Sequence, residues 1–444
     1  MSLPDRVPAE IARLFEIVRR EPRQFGALMQ LGTLLAQSGN VAAARTVYAQ
    51  AVREHPNVAG PHVCLGTLLV DAGEHAEALR LFAAALRLDP ANREAQRGIA
   101  VVQERDGDLE AAADIWRHAF PKGSLETSPY RGDGAPVRLL YLTSALGGNV
   151  PMQHVFDDRC FQVTTLIAES APGDIVLPPH DAVFNAIGDA DRCARALGAA
   201  ARIVASSPVP VFNDPARVRE ATRLRNARRL RSLEDVVTAN AVEFARDELT
   251  EPTGATLPGA RGLRFPLLLR SLGYQTGEHF VRIDSSREVS PAAAALPGTS
   301  LLALEFIDSR GADQVFRKYR VMTIGGRLYP VHLAMAAEWK VHYFRSEMAG
   351  RADYRAEEAR FLADMPAAIG TRAVAALDRI AAVLALDYGG IDFALLPDGR
   401  VLVFEANATM ILVPPDGDAR WDYRRIAVSA AIDAARGLLV SHAR

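Results

Sequence analysis

Between residues 25 and 120 the same kinds of side chain return every 34 positions. Glycine does so at Gly39, Gly73 and Gly107, and Leu31, Leu65 and Ile99 keep the same interval. So do Gly32, Gly66 and Ala100; Ala44, Ala78 and Ala112; Tyr48, Phe82 and Trp116; Ala51, Ala85 and Ala119; and Pro56 with Pro90. A repeat this short cannot enclose a core alone, so its copies must stack and bury their apolar faces on one another. The residue types describe the unit: small side chains where two helices cross closely, an aromatic wedge, and glycine or proline where a helix stops. Helix pairs are expected at 25–58, 59–92 and 93–120, with an extra helix over Pro8–Arg20 packed on the first. Residues 1–120 then form an all-α solenoid whose concave groove is either a rigid spacer or a dock.

This register resembles the tetratricopeptide repeat, which implies a peptide or protein partner at the groove. The pattern ends at Ala119. "PKGSLETSPYRGDGAP" (121–136) is rich in Pro, Gly and Ser and reads as a linker. Beyond it, "VRLLYLTS", "VTTLIAES", "DAVFNAI" and "VPVFND" read as short buried strands, with "DADRCARALGAAARIVAS" helical between them. Alternating strands and helices imply a small parallel α/β domain over 137–215. A long amphipathic segment, "PARVREATRLRNARRLRSLEDV", follows. Strands resume at "FPLLLRS", "EHFVRID", "LLALEFID" and "KYRVMTIGGRLYPVHLA". A helix, "AAIGTRAVAALDRIAAVLA", precedes a hairpin at 388–407, and "WDYRRIAVSAAIDAARGLLVSHA" closes the chain as a helix.

Composition contributes exclusions. At 49% hydrophobic and 23% charged, with a net charge of −2, the chain has no bulk electrostatic reason to bind nucleic acid or a membrane surface. The basic charge is almost all arginine; lysine occurs only at Lys122, Lys318 and Lys340. Cys64, Cys160 and Cys193 are too scattered for a disulfide framework or zinc site. "MSLPDRVPAE" is not a basic-then-apolar leader, and no apolar run nears the ~20 residues that cross a bilayer. The expectation is a reducing, cytoplasmic compartment. Phosphate-loop, dinucleotide, zinc-protease and nucleophile-elbow motifs are all absent from the sequence.

The hairpin "YGGIDFALLPDGRVLVFEANATM" (388–410) raises the functional question. With Asp398-Gly399 central in a two- or four-residue loop, Asp392 faces Glu405, and Asn407 shares their face opposite Gly390. Ile391, Phe393, Leu395, Leu402 and Phe404 form the other, core face. Two carboxylates ~5 Å apart repel by roughly 3 kcal/mol at an effective dielectric near 20. A shared proton or a nearby arginine would offset this; a hard cation does so best, because two carboxylates and an amide oxygen suit Mg²⁺.

These residues resemble the metal-binding hairpin of the ATP-grasp superfamily, with its glutathione-synthetase-like and ribosomal-protein glutamate-ligase-like branches. The resemblance covers roughly 137–444. It implies a multidomain α and α/β chain: the solenoid, an α/β pre-ATP-grasp domain at 137–215, and an α+β ATP-grasp fold at 216–444. Asp392, Glu405 and Asn407 are then the ligands of Mg²⁺ or Mn²⁺ beside ATP. "FPLLLRSLGYQTGEHFVRI" resembles the strand, glycine loop and strand over the triphosphate, with Arg270 in place of the usual lysine and Gly273 and Gly277 in the loop. Glu305, Phe306 and Ile307 fall where the main chain reads adenine, and Asp313 where an acid takes the ribose. Lys318 and Arg320 would meet the γ-phosphate and acyl phosphate, and Lys340 the acyl group. Arg228 is the favoured substitute for a second family lysine. "VHLA" and "ATMILVPP" depart from the family's arginine-ended strand and glycine-containing acceptor loop.

The activity implied is carboxylate–amine ligation: ATP phosphorylates a carboxylate, and an amine attacks the acyl phosphate to give an amide or peptide bond. Two other classes stay open, a nucleotide-binding scaffold with a degenerate grasp domain and a kinase acting on a hydroxyl. The implied partners are carboxylate and amine substrates and a peptide or protein at the repeats, with neither nucleic acid nor membrane; a homodimer is left open.

Overall fold

The computed structural model describes residues 3–38, 40–106, 108–119, 125–251, 253–272, 279–341, 346–415 and 417–442. The chain divides into two compact units, the first built on the repeats and the second on the remaining sheets. In the first, α1 (Leu3–Arg20) precedes three antiparallel pairs: α2 (Phe25–Gln37) with α3 (Val41–Glu54), α4 (Ala59–Asp71) with α5 (His75–Leu88), and α6 (Arg93–Asp106) with α7 (Leu109–Ala119). The 34-residue spacing acts through contact. A Cβ on Gly32 would lie 2.5 Å from the Tyr48 ring, and one on Gly66 2.8 Å from Phe82. Each aromatic therefore beds against a missing side chain. Ala44, Ala78, Phe82 and Trp116 are buried in these crossings.

Among the described residues, the second unit holds three sheets. The first contains β1 (Glu126–Thr127), β2 (Val137–Thr143), β3 (Phe161–Ile167), β4 (Ala182–Asn185) and β5 (Val211–Phe212), in the order β1-β3-β2-β4-β5. The strands from β2 to β5 are parallel, as expected, with α8 (Ala194–Ala205) crossing over between β4 and β5. β1 lies inside the stretch expected as linker: Glu126 pairs Thr165 and Thr127 pairs Thr164 along an edge.

The expected long amphipathic segment is broken. α9 (Pro215–Arg219) and α10 (Arg223–Leu230) are separate, because the Thr222 hydroxyl accepts from the Arg225 N–H and starts a new helix. β6 (Val236–Thr238) follows, then a four-stranded antiparallel sheet of β7 (Ala241–Ala245), β8 (Leu267–Ser271), β9 (Phe280–Ile283) and β10 (Ser300–Glu305), ordered β7-β10-β8-β9. α11 (Arg246–Thr250), α12 (Leu257–Ala260) and α13 (Val289–Ala295) occur within this stretch, and Leu249, Leu267, Leu269 and Val289 share its core.

The third sheet has the order β12-β11-β13-β14-β6, from β11 (Phe316–Ile324), β12 (Arg327–Ala336), β13 (Tyr388–Leu395) and β14 (Val401–Asn407). α14 (Ala352–Ala363), α15 (Met365–Ile369) and α16 (Thr371–Leu384) precede its hairpin, α15 and α16 being parted at Gly370 with φ +83°. α17 (Asp422–His442) closes the chain. One core joins the first and third sheets: Leu139, Phe161 and Phe184 pack with Met322, Ile324, Tyr388 and, from α17, Val428 and Leu439. Asn213 fastens the same seam. Its amide donates to Tyr388 O at 2.8 Å and accepts from Tyr388 N at 2.9 Å.

Candidate functional site

The hairpin reaches its site by an unexpected route. Its turn is a three-residue loop: the Leu396 N–H donates to Arg400 O, the Gly399 N–H to Leu396 O, and Gly399 sits at φ +82°. Leu395 therefore pairs with Val401 and Phe393 with Val403, one position off the expected register. A bulge at Phe404 restores it, so Asp392 faces Glu405 and Gly390 faces Asn407, as expected. Phe404 is not a core residue; as the bulged position it is 45% exposed.

Along β11, Met322 and Ile324 enter the shared core, while Lys318 and Arg320 occupy the same face nearer the strand's start. Arg320 is the register partner of Asp392. Its Nε and Nη2 donate to the two Asp392 oxygens at 2.6 and 2.8 Å, and Lys318 Nζ lies 2.6 Å from Asp392 Oδ2. Burial opposes ionisation of Asp392, but Arg320 and Lys318 hold its pKa far below the usual carboxylate range. Glu405 Oε1 accepts from Arg223 Nη2 at 2.7 Å and from Asn407 Nδ2 at 2.9 Å. Burial likewise opposes its charge, and Arg223 and Arg270 lower its pKa. The repulsion between the acids is thus offset by arginine and lysine, one of the remedies open from the sequence.

Arg223 was not singled out in the sequence. It occupies the first position of α10, and its other arm donates to Asp191 Oδ2 at 2.9 Å. Asp191 follows β4, at the carboxyl ends of the parallel strands where open α/β sheets gather ligands. That position and the acidic "GDADR" were the available signals. Arg228, favoured instead, is exposed. Arg270 on β8 pairs in register with Phe280 and Leu302. Desolvation and the neighbouring Arg223 push its pKa down to about 10, while Glu405 and Asp191 pull the other way. It stays charged at neutral pH and belongs to the same electrostatic centre.

Other expected residues lie differently. Asn407 turns its oxygen away from the acids: Oδ1 accepts from the Thr409 N–H at 2.9 Å and hydroxyl at 2.7 Å. The segment beyond it runs in close contact with two glycines. A Cβ on Gly390 would lie 2.6 Å from Met410, and one on Gly188 2.7 Å from Ala408 O. The Glu305 and Phe306 N–H groups are committed to Asn240 O and Pro266 O. Asp313 is held by Arg317, which lowers its pKa to about 2. The Lys340 ammonium donates to Phe280 O on β9 at 3.0 Å. Gly273 and Gly277 lie outside the described residues. Among the described residues, no group of three or more His, Cys, Asp or Glu forms a ready metal site, and no helix is long and apolar enough to cross a membrane.

A tetratricopeptide-repeat family model matches residues 11–59 and 65–120. No curated protein matches the chain. Among solved structures, VanG D-Ala:D-Ser ligase from Enterococcus faecalis is similar at 12% identity and a TM-score of 0.45, over 70% of this chain and 100% of that one. D-alanine–D-alanine ligase from Bacillus anthracis, complexed with ATP, is similar at 12% identity and 0.43, over 69% and 96%. MamA from Desulfovibrio magneticus RS-1 is similar at 17% identity and 0.25, over 26% and 66%. The N-terminal helices carry the tetratricopeptide-repeat match, and a mainly parallel α/β sheet, an antiparallel sheet and a mixed sheet follow them.

Proposed function

We infer that the second unit is an ATP-dependent carboxylate–amine ligase. One observation carries the reading: Arg223, Lys318 and Arg320, with Arg270 in the same field, converge on the register-paired acids Asp392 and Glu405. Such a cluster suits a polyphosphate and a hard cation together. Asp392 and Glu405 fit Mg²⁺ or Mn²⁺ as a hard-oxygen pair whose counter-ions are flexible side chains. Asn407 does not complete the set, because Thr409 holds its oxygen. When bound, the metal would neutralise charge on the transferring phosphoryl oxygens.

The chain's own cations do the rest. Arg270 and Arg223 receive the inner phosphates; Lys318 and Arg320 meet the γ-phosphate and the acyl phosphate made from it. Ile307 and the adjoining carbonyls read adenine. The repeats recruit a peptide or protein carrying one reactant.

A nucleotide-binding scaffold is the second reading, favoured by how fully the acids are already neutralised. ADP release with panels of carboxylic acids and amines, followed by product mass, tests both. An amide-forming pair supports the ligase. ATP binding with no turnover on any pair leaves the scaffold, and a phosphorylated hydroxyl product would replace both with a kinase.

A further inference from the structure

β9 is an edge strand: among the described residues it pairs with β8 alone. The Ser271 N–H donates to His279 O, so alternation turns the main chain of Phe280 and Arg282 outward, away from β8. Beside that edge lies a groove of about 560 Å³, within the usual range of ligand sites. One wall is β9; the other is α13 and the residue after it, through Pro291, Ala292, Ala295 and Leu296. Val281 and Ile283 pack toward α13, whereas Arg270 pairs in register with Phe280 and takes the opposite face. The apolar floor of the groove therefore faces away from the acid–cation centre.

The two ends of the groove differ in charge. Lys340, an exposed residue, takes the outward carbonyl of Phe280 at 3.0 Å. At the other end Glu288 accepts from the Asp284 N–H, just past the strand. We propose that the groove docks the carboxyl-terminal end of an extended peptide, added to β9 as an antiparallel strand. A strand laid along this edge finds the Phe280 carbonyl already taken, so it must stop there. A chain that stops in a free carboxylate meets the Lys340 ammonium at that point. Phe280 begins β9, so a peptide ending beside it runs antiparallel. Its main chain pairs with the outward groups of Arg282, and alternate side chains enter the apolar floor. The partner chemistry is thus a peptide with a free carboxyl terminus and an aliphatic last residue. This docking is independent of the nucleotide reading.

Fluorescence polarisation on the full chain tests this, with labelled short peptides ending in Val, Leu or Ile as the probes, each as the free acid and as the carboxyl-terminal amide. The acids should bind saturably, and the amides about tenfold or more weakly. Lys340→Met should bring the acids down to the level of the amides and leave the amides unchanged. Ala295→Glu, a change at an exposed position in the groove wall, should weaken both forms. Circular dichroism checks that each variant is folded. Equal affinity for acid and amide overturns the inference, as does an acid affinity that Lys340→Met leaves intact. Absence of saturable binding by every peptide overturns it too, and makes Lys340 only a guard against chance strand pairing. So does a concentration-dependent dimer, seen by sedimentation and abolished by Ala295→Glu, because the edge then pairs with a second copy.

Discussion

Arg270 is the one charged residue of its strand, Leu-Leu-Leu-Arg-Ser, and its guanidinium lies 5.4 Å from the Phe280 ring centroid. If it receives the inner phosphates, Arg270→Ala should weaken Mg–ATP binding by roughly 1.5–3 kcal/mol, about a tenfold to hundredfold rise in Kd, with Arg270→Lys recovering most of it. Unchanged affinity in the alanine variant, measured with a non-hydrolysable analogue, would take Arg270 out of the site. His332 makes a different prediction. It is opposite Arg320 on β12, and Lys318, Asp392 and Arg424 also act on it. Burial first, then Arg320, pushes its pKa well below the usual value, so the folded imidazole stays neutral. Below about pH 6.5 the unfolded chain takes up a proton there that the folded chain refuses. Stability therefore falls with falling pH, by up to about 1.4 kcal/mol per unit from this group. His332→Gln should flatten the dependence between about pH 6.5 and 5 in denaturant unfolding; parallel curves for the two proteins would refute the assignment.

At the scale of elements, two local irregularities bring the acids together. The three-residue turn shifts the hairpin register by one, and the Phe404 bulge shifts it back. The sequence pattern located the turn and the pairing of Asp392 with Glu405. It could not reveal the bulge, because a symmetric two- or four-residue loop reaches that pairing without one. Phe404 was misjudged for the same reason. The turn itself is testable. Gly399 is at φ +82°, and a Cβ there would clash with nothing, meeting only Arg372 Nη1 in ordinary contact at 3.7 Å. Gly399→Ala should therefore cost about 1 kcal/mol through backbone strain alone, read as a lower denaturant midpoint. No loss would mean that the loop readily adopts another turn. The broken α9–α10 segment shows another limit of pattern reading: basic residues continue through it, and the break is marked by the Thr222 cap.

For the whole molecule, the repeats and the remaining sheets form separate compact units, whereas the α/β domain and the third sheet share a core. A fragment of residues 125–444 should fold and bind Mg–ATP, and should lose turnover only on a substrate that the repeats deliver. A fragment starting at residue 130 should be less stable, because it lacks the edge strand Glu126–Thr127. Thermal melts of the two fragments decide the second point, and equal midpoints would leave β1 without a structural part. Equal activity of the longer fragment and the full chain on the natural substrate would make the repeats a spacer.

The sequence alone determined the solenoid, the start of each repeat, the parallel α/β strands and the face shared by Asp392 and Glu405. Each is a matter of period or turn chemistry, set by residues close along the chain. Only the tertiary structure decided which cation answers which acid. Arg223 and Glu405 are 182 residues apart, and Arg320 and Asp392 are 72 apart. Nothing local distinguishes Arg223 from Arg228 on a short basic helix. The difference is direction: one side chain points at two part-buried carboxylates, the other at solvent, and only the packing of α10 against the third sheet fixes that.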